Sequence, residues 1–199
     1  LPAFDMDRHE LSNTLFAPLA ELSVATGLDV PRYPDVDGLL DLARPDHPVT
    51  GLSARDAALV CLYYGKRLPR LEEWVKAARG GLQLPGGAAN TRPRRALPGG
   101  DGLGDVNLAG EADGCATTCP VTRRSAPSPY GIVALVGNAA EWLAPDGGLG
   151  DGRQPLAGGG WATDAASQVH TTAFATYLEA RYFDFQTGVR CVADVDTRD

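Results

Sequence analysis

One stretch of the chain organises the prediction of its fold: Tyr130-Gly131-Ile132-Val133-Ala134-Leu135-Val136-Gly137-Asn138-Ala139-Ala140-Glu141-Trp142. An apolar run, Ile132–Val136, leads into Gly137-Asn138, and Gly and Asn are residues that a tight turn favours. The pattern predicts a buried strand, a turn and a core tryptophan. A carboxylate beside turn carbonyls is also how proteins bind calcium, so a cation site that uses Glu141 is the alternative interpretation.

The composition indicates one acidic domain with many loops. A chain of 199 residues fits a single domain with a substantial core, and its 24 glycines and 15 prolines indicate many turns. The net charge of −7 argues against nucleic acid or an anionic membrane as a partner. No apolar run is long enough to insert across a membrane. The chain starts at Leu1 without a signal peptide, so we expect a trimmed or processed chain.

Three segments carry helical patterns. The first covers about 14–25, the second starts after Ser53 with a capping-box-like Asp56 and stops at Gly65, and the third covers about 70–79. Apolar spacing predicts which side chains face the core. These are Leu15, Phe16, Leu19 and Leu22 in the first helix, Ala57, Val60, Cys61 and Tyr64 in the second, and Leu71, Trp74, Val75 and Ala78 in the third.

The four cysteines are Cys61, Cys115, Cys119 and Cys191. Two disulfides are possible, and the sequence leaves three pairings open. A zinc site is not expected, because Cys115-x-x-x-Cys119 lacks the second pair of cysteines or histidines that such a site needs. Disulfides imply an oxidising compartment, while four free thiols in a cytoplasmic protein are the alternative.

Further segments share short motifs with one protein family. They are Met6–Asn13, Pro48–Ser53, Gly65–Pro69, Glu73-Trp74, Ala77–Gly81, Gly158–Trp161 and Thr187–Cys191. With the central G-N-x-x-E-W, this order resembles the formylglycine-generating enzymes and their relatives, the sulfatase-modifying-factor family. The resemblance covers nearly the whole chain and lacks only the usual N-terminal strand.

The resemblance implies an α+β fold, the formylglycine-generating-enzyme-like variant of the C-type lectin fold. We expect it to be rich in irregular loops, with two or three helices packed on small antiparallel sheets. A single domain should cover residues 1–199, possibly truncated at the N-terminus. Members of the family often bridge the positions of Cys61 and Cys191, which leaves Cys115 to pair with Cys119. These disulfides imply a periplasmic or secreted protein, or the extracellular part of a larger one.

The resemblance also implies structural calcium. Its first site would use the Asn107 side chain, the Leu108 carbonyl, the Asp113 carboxylate and the Cys115 carbonyl, a mixture of hard oxygens that calcium accepts. The alternative is a polar loop without an ion.

The family's second calcium site would use Glu141 with the Gly137 and Ala139 carbonyls. Ala134 stands where the family usually has Asp or Asn, and a methyl group cannot coordinate a cation. We therefore expect this second site to be empty or weakly occupied.

The family's catalytic thiols are missing. Its enzymes oxidise a substrate cysteine with oxygen, using two cysteines spaced C-x4-C that hold copper(I), a soft ion that prefers sulfur. Those positions fall on Thr163 and Gln168, so we expect neither copper nor formylglycine generation. Non-haem iron is not indicated either, because His9, His47 and His170 lie at no ligand spacing.

Two functions follow from this comparison. In the first, the chain is a non-catalytic module that binds a protein, a peptide or a small ligand through a shallow surface, Trp161–Phe185, with about half of its aromatic side chains buried. The predicted binding residues are Trp161, Thr163, His170, Phe174, Tyr177, Tyr182, Phe183 and Phe185. The alternative is an oxidoreductase of the same family with altered chemistry in a deep cleft, carried by His170, Glu179 and Arg181.

Overall fold

The computed structural model describes residues 1–26, 43–99, 106–109, 114–123, 127–145, 152–164 and 175–195. This part of the chain forms three helices and six short strands. They are β1 (Phe4–Met6), α1 (Asn13–Thr26), α2 (Ala54–Tyr63), α3 (Leu71–Arg79), β2 (Ala140–Trp142), β3 (Arg153–Ala157), β4 (Ala175–Glu179), β5 (Thr187–Gly188) and β6 (Val192–Asp194). Among these described segments, no helix combines the length and the apolar character needed to span a bilayer.

The strands form two small sheets. In the first, β1 pairs antiparallel with β6, so that Met6 lies opposite Val192 near the two ends of the chain. In the second, the order is β4-β3-β2-β5. Its neighbours are antiparallel except β2 and β5, which run parallel, with Glu141 opposite Gly188. The predicted α+β class is confirmed, and this parallel pair is the departure from the purely antiparallel expectation.

Local sequence rules predict the second and third helices well. At the start of α2, the Asp56 amide donates to Ser53 Oγ (3.3 Å) and the Ser53 amide donates to Asp56 Oδ2 (3.2 Å), which completes the predicted capping box. The third helix begins after Arg70, whose amide donates to Glu73 Oε2 (2.8 Å). It ends at Gly80, whose φ of 91° suits glycine.

The predicted buried stripe of α1 is only half correct. Phe16 and Leu19 are buried, whereas Leu15 and Leu22 are exposed. At about 100° per residue, the two exposed leucines lie roughly 70–90° away from the centre of the buried face. The helix therefore packs on the core through a narrower stripe than its apolar pattern predicts.

The predicted strand over Ile132–Val136 is wrong, although all five side chains are buried. The strand β2 starts only at Ala140. The run is not extended because Ala134 and Asn138 have positive φ angles, 54° and 64°, as do the flanking glycines Gly131 and Gly137. A left-handed residue ends a strand locally, so the segment crosses the core as irregular backbone.

Among the described residues, the core consists of two apolar clusters. One lies between α1 and α2 and includes Phe16, Val60 and Trp142; the other packs Trp74 of α3 against Leu135 and neighbouring residues. The Cys61–Cys191 disulfide crosses the first cluster and ties α2 to the C-terminal segment, as the resemblance implies. The central stretch contributes to both clusters, so polar side chains on it are buried at the middle of the molecule.

Candidate functional site

A buried ion pair lies at the centre of the molecule. Arg190 donates from Nη2 (2.7 Å) and from Nε (2.9 Å) to Glu141 Oε1, and neither side chain is exposed to solvent. The remaining carboxylate oxygen, Oε2, accepts a hydrogen bond from Trp74 Nε1 (2.8 Å). Arg190 also donates to the carbonyls of Asp7 and Val133. A buried charge needs such partners, because desolvation without them is costly.

This geometry bears on the second cation site, which we expected to be empty or weakly occupied with Glu141 as its carboxylate. Both of its oxygens face protein donors, and the Arg190 guanidinium supplies the positive charge that a calcium ion would have supplied. The residues therefore do not fit a second calcium ion. Ala134 contributes its backbone instead, because its carbonyl accepts a hydrogen bond from Arg190 Nη2 at 3.4 Å.

Asn138 links the central turn to three other segments. Its Nδ2 atom donates to Glu10 Oε2 (2.6 Å), and its Oδ1 atom accepts from the Cys119 amide (2.7 Å) and from Asn107 Nδ2 (3.1 Å). The other Glu10 oxygen accepts from the Ala139 amide (2.9 Å). Burial raises the pKa of Glu10 to about 8, and the nearby Arg190 charge opposes this rise only in part.

The loop predicted to hold calcium lies against this network. The Asn107 Nδ2 atom donates hydrogen bonds to the Thr117 carbonyl (2.8 Å) and to Asn138 Oδ1 (3.1 Å). Both bonds use the nitrogen of the amide group, and its oxygen, Oδ1, is the atom that would serve as a hard ligand. Asn107, the adjacent Leu108 carbonyl and the Cys115 loop therefore fit the chemistry of a calcium site. Asp113, the predicted carboxylate ligand, lies outside the described residues.

The second predicted disulfide closes this loop. Cys115 is bonded to Cys119, and Arg123 Nη1 lies 2.8 Å from the first sulfur and 2.7 Å from the second. Both disulfides of the prediction are therefore present, and no cysteine in the chain is free. The Cys119 amide also binds Asn138, so the disulfide fixes the loop to the central turn.

Thr163, the residue that the resemblance places at the family's first catalytic cysteine, is hydrogen-bonded on both sides. Thr163 Oγ1 accepts from the Gly160 amide (2.9 Å) and donates to Gln186 Oε1 (3.3 Å). A side chain added at Gly160 would place its Cβ only 2.7 Å from Gln186 Cβ, so Gln186 occupies the space of the family's usual serine. These residues line a cavity of about 150 Å³, room for about five water molecules. Gln168, the second cysteine position, lies outside the described residues.

Tyr182 lines this cavity, and the described part of the segment 161–185 carries four more aromatic side chains. We call the five together the aromatic surface: Trp161, Tyr177, Tyr182, Phe183 and Phe185. The last three are 40%, 43% and 46% exposed, and the other two are half-buried. None of these five side chains is fully buried, whereas we expected about half of the aromatic side chains of the whole segment to be buried. Trp161 packs against Phe185 with ring centroids 5.4 Å apart, and its Nε1 donates to the Phe185 carbonyl at 3.3 Å.

The remaining predicted residues are dispersed. His170 and Phe174 lie outside the described residues. Glu179 and Arg181 are 76% and 91% exposed, with a 4.0 Å contact between them, so they do not converge in a deep cleft. Within the described segments, no group of three or more His, Cys, Asp and Glu side chains could hold a metal ion.

Comparison with known proteins decides the family. The model of the sulfatase-modifying factor enzyme 1-like domain matches residues 1–195. This chain belongs to that family. The formylglycine-generating enzyme of Bos taurus is 39% identical over 117 residues, which cover 57% of this chain and 31% of that protein. The inactive C-alpha-formylglycine-generating enzyme 2 of Bos taurus is 36% identical over 107 residues, covering 50% of this chain and 33% of that protein.

Solved structures of the same shape support the fold. The crystal structure of CarF superimposes with a TM-score of 0.70 at 22% identity, over 97% of this chain and 87% of that one. At this identity the likeness concerns the fold alone. The chain spans about a third of the length of the curated relatives named above.

Three residues at the centre of the site were not assigned a role from the sequence. Glu10 and Arg190 belong to family motifs that were recognised as signatures, so motif membership was the available signal. Their partners could not be inferred, because the bonds join residues 128 and 49 positions apart. Gln186 directly precedes the Thr187–Cys191 motif and gave no signal of its own.

Proposed function

We propose that this chain is a non-catalytic, calcium-stabilised binding module, which binds a protein, a peptide or a small ligand through the aromatic surface. The observation that carries the proposal is the exposure of three large aromatic side chains within four residues of the chain, Tyr182, Phe183 and Phe185. Large aromatic side chains at a surface are typical binding hot spots, because a partner removes much apolar area from water at each. Tyr182 also keeps a polar end, since its hydroxyl donates to Asp184 Oδ2 (2.8 Å).

The chemistry at Thr163 supports a non-catalytic role. Copper(I) is held by soft sulfur ligands, and here a hydroxyl and the Gln186 amide oxygen line the corresponding cavity. All four cysteines are committed to disulfides elsewhere, so none can act in their place. The relatives of the family include proteins named as inactive, which is consistent with this role.

Calcium is proposed as the structural ion of the loop at Asn107. The Asn107 side chain, the Leu108 carbonyl, Asp113 and the Cys115 carbonyl would hold it. The two disulfides support residence in an oxidising compartment, that is, in the periplasm, outside the cell or in the extracellular part of a larger protein. The net charge of −7 supports a partner other than nucleic acid and does not favour insertion into a membrane.

A peptide selection tests the proposal. A random peptide library displayed on phage is panned on the wild-type protein, and the dissociation constants of selected peptides are measured by calorimetry. The same peptides are then tested against Phe183→Ser, which removes an exposed ring, and against Leu62→Ser as the control. Leu62 is 68% exposed on α2, outside the aromatic surface.

The expected result is that selected peptides bind Phe183→Ser at least about tenfold more weakly and bind Leu62→Ser as tightly as wild type. Tryptophan fluorescence gives a second readout. Trp74 and Trp142 are buried and Trp161 is half-exposed, so a bound peptide should protect Trp161 from acrylamide quenching. Equal affinity for both variants, or a library that yields no peptide, contradicts the proposal.

A further inference from the structure

The two disulfides of the chain differ in their access to solvent. Cys61 and Cys191 are 0% and 1% exposed, and both belong to the first apolar cluster. Cys119 is also buried, at 3%, but its partner Cys115 is only half-buried. A reagent in water can therefore approach the Cys115 end of the second disulfide, whereas the first disulfide becomes accessible only when the core opens.

A guanidinium lies against both sulfurs of the second disulfide. Arg123 Nη1 is 2.8 Å from Cys115 Sγ and 2.7 Å from Cys119 Sγ. A guanidinium remains a cation and a hydrogen-bond donor whatever other groups it contacts, so its effect on the sulfurs does not require an excess of positive charge nearby. When the S–S bond breaks, a cation at this distance stabilises the negative charge that the leaving sulfur acquires.

The backbone of Cys119 is anchored to the central turn by bonds that do not involve its sulfur. Its amide donates to Asn138 Oδ1 (2.7 Å), and its carbonyl accepts from Asn138 Nδ2 (3.3 Å). Because these bonds persist when the S–S bond opens, the Cys119 sulfur stays beside Arg123 and close to Cys115. The anchored sulfur is therefore the suitable leaving group, and it is placed to close the bond again.

We propose that the Cys115–Cys119 disulfide is a reversible thiol-exchange site, at which a small thiol from solution becomes attached to Cys115. This inference goes beyond the proposed function and does not depend on the aromatic surface. In the first step, the thiolate of the small molecule attacks Cys115 Sγ and forms a new S–S bond. The bond to Cys119 breaks, its electron pair leaves on Cys119 Sγ, and the Arg123 guanidinium stabilises the resulting thiolate.

The mixed disulfide on Cys115 then has two fates. The Cys119 thiolate can attack Cys115 Sγ, which expels the small thiolate and restores the original bond. Alternatively, a second small thiolate attacks the sulfur of the attached molecule, which leaves as a symmetrical small disulfide while Cys115 Sγ keeps the electron pair. Two electrons then pass from two small thiols to the protein disulfide, and each protein thiolate takes up a proton from water.

The test measures exchange with 2-mercaptoethanol, a small thiol that carries no other charged group. The folded, oxidised chain is incubated with this thiol at constant pH, and samples are quenched with excess N-ethylmaleimide. Peptide mass mapping then reads the state of each cysteine. The variants are Arg123→Gln, which removes the cation, and Arg123→Lys, which keeps it. Arg55→Gln is the matched control, an exposed arginine in the first turn of α2.

In the wild type, the Cys115–Cys119 bond should open at least about 100-fold faster than the Cys61–Cys191 bond, because the core disulfide needs a much larger opening of the structure. The trapped intermediate should carry 2-mercaptoethanol on Cys115 and N-ethylmaleimide on Cys119.

The variants report on the arginine. Arg123→Gln should slow the exchange about three- to tenfold, because the leaving thiolate loses its stabilising cation. Arg123→Lys should keep at least about half of the wild-type rate, since the ammonium group is also a cation. Arg55→Gln should exchange at the wild-type rate.

Three results overturn the inference: equal rates for the two disulfides, attachment of 2-mercaptoethanol to Cys119 instead of Cys115, or exchange in Arg123→Gln as fast as in the wild type. The core disulfide serves as an internal control for folding, because Cys61 and Cys191 are labelled only when the core opens. If Arg123→Gln is labelled there as well, that variant has unfolded. The position of the attached thiol in the wild type and the rate of Arg123→Lys then decide the inference.

Discussion

Arg190 and Glu141 form an ion pair that is sealed from solvent, with two guanidinium nitrogens 2.7 and 2.9 Å from one carboxylate oxygen. The pair joins the C-terminal family motif to the central G-N-x-x-E-W stretch. It also positions the Trp74 ring, which donates to the remaining oxygen. The signature residue Glu141 therefore holds the fold together in this chain, and its buried carboxylate is not available to a metal ion.

The first prediction concerns removal of that charge. Glu141→Gln should lower the free energy of unfolding by about 3–5 kcal/mol, because it leaves the Arg190 guanidinium buried without a counter-charge. The measurement is equilibrium denaturation in urea. Glu179→Gln is the control: its carboxylate is exposed, and the change should stay within about 0.5 kcal/mol.

A paired replacement sharpens the same measurement. Glu141→Leu together with Arg190→Met should lower the free energy of unfolding by much less than the sum of the losses from the two single substitutions. The reason is that the double variant leaves no charge unpaired in the core. A loss below about 1 kcal/mol for Glu141→Gln alone would show that the ion pair is not important for stability.

The second prediction concerns pH. The pKa of Glu10 is about 8 in the folded chain and has its ordinary value of 4.5 without burial. Between these values the folded state holds a proton that the unfolded state has released, so the stabilisation decreases as the pH rises from about 4.5 to about 8. Urea denaturation at a series of pH values should show this decline in the wild type. Glu10→Gln does not titrate, so its decline should be smaller, and parallel curves for the two proteins contradict the prediction.

The third prediction concerns backbone strain at Ala134. Its φ of 54° lies in the left-handed region, which glycine adopts without a steric penalty. Ala134→Gly should therefore raise the free energy of unfolding by about 0.5–1 kcal/mol. Ala58→Gly, at an exposed position inside α2, should lower it by about 1 kcal/mol. Thermal unfolding measures both changes. If both substitutions raise the stability, or both lower it, the assignment of strain at Ala134 is refuted.

The fourth prediction concerns calcium at the Asn107 loop. A chain stripped with a chelator should gain about 2.7 kcal/mol of stability when calcium is added at 100 times its dissociation constant. Magnesium should stabilise the chain less than calcium does, because magnesium demands a stricter octahedral geometry. Asp113→Ala should abolish the stability gained on adding calcium. Substitutions of Glu141 should lower the overall stability but leave the gain from calcium unchanged. A thermal midpoint that does not respond to calcium contradicts this part of the proposal.

The sequence predicted the parts of this fold that depend on local rules or family motifs. The capping box at Ser53 and the start of α3 follow from short-range chemistry, and the Cys61–Cys191 pair follows from the resemblance. The buried run Ile132–Val136 was predicted as a strand because its apolar character indicates burial. That character carries no information about the backbone φ angles. Positive φ at Ala134, a residue without a turn preference, could not be read from its side chain.

The candidate site was predicted less completely for a related reason. Glu141 looked like a metal ligand because a carboxylate beside a turn is ambiguous until its partner is known, and its partner lies 49 positions away. The exposure of Tyr182, Phe183 and Phe185 depends on how the chain continues after β4, which local spacing does not encode. By contrast, the prediction that Thr163 stands at the position of a catalytic cysteine came from the sequence motif alone and needed no structure.

Oxygen consumption is the decisive measurement of whether this chain lacks the copper-dependent oxidation of cysteine. The purified chain is incubated with copper(I) and a cysteine-containing peptide, and dissolved oxygen, peptide mass and bound copper are measured together. We expect no oxygen uptake above a protein-free control, no mass change of the peptide cysteine, and far less than one equivalent of bound copper. The reason is that the cavity at Thr163 offers oxygen and amide groups instead of sulfur. Stoichiometric copper with oxygen-dependent conversion of the peptide would contradict it.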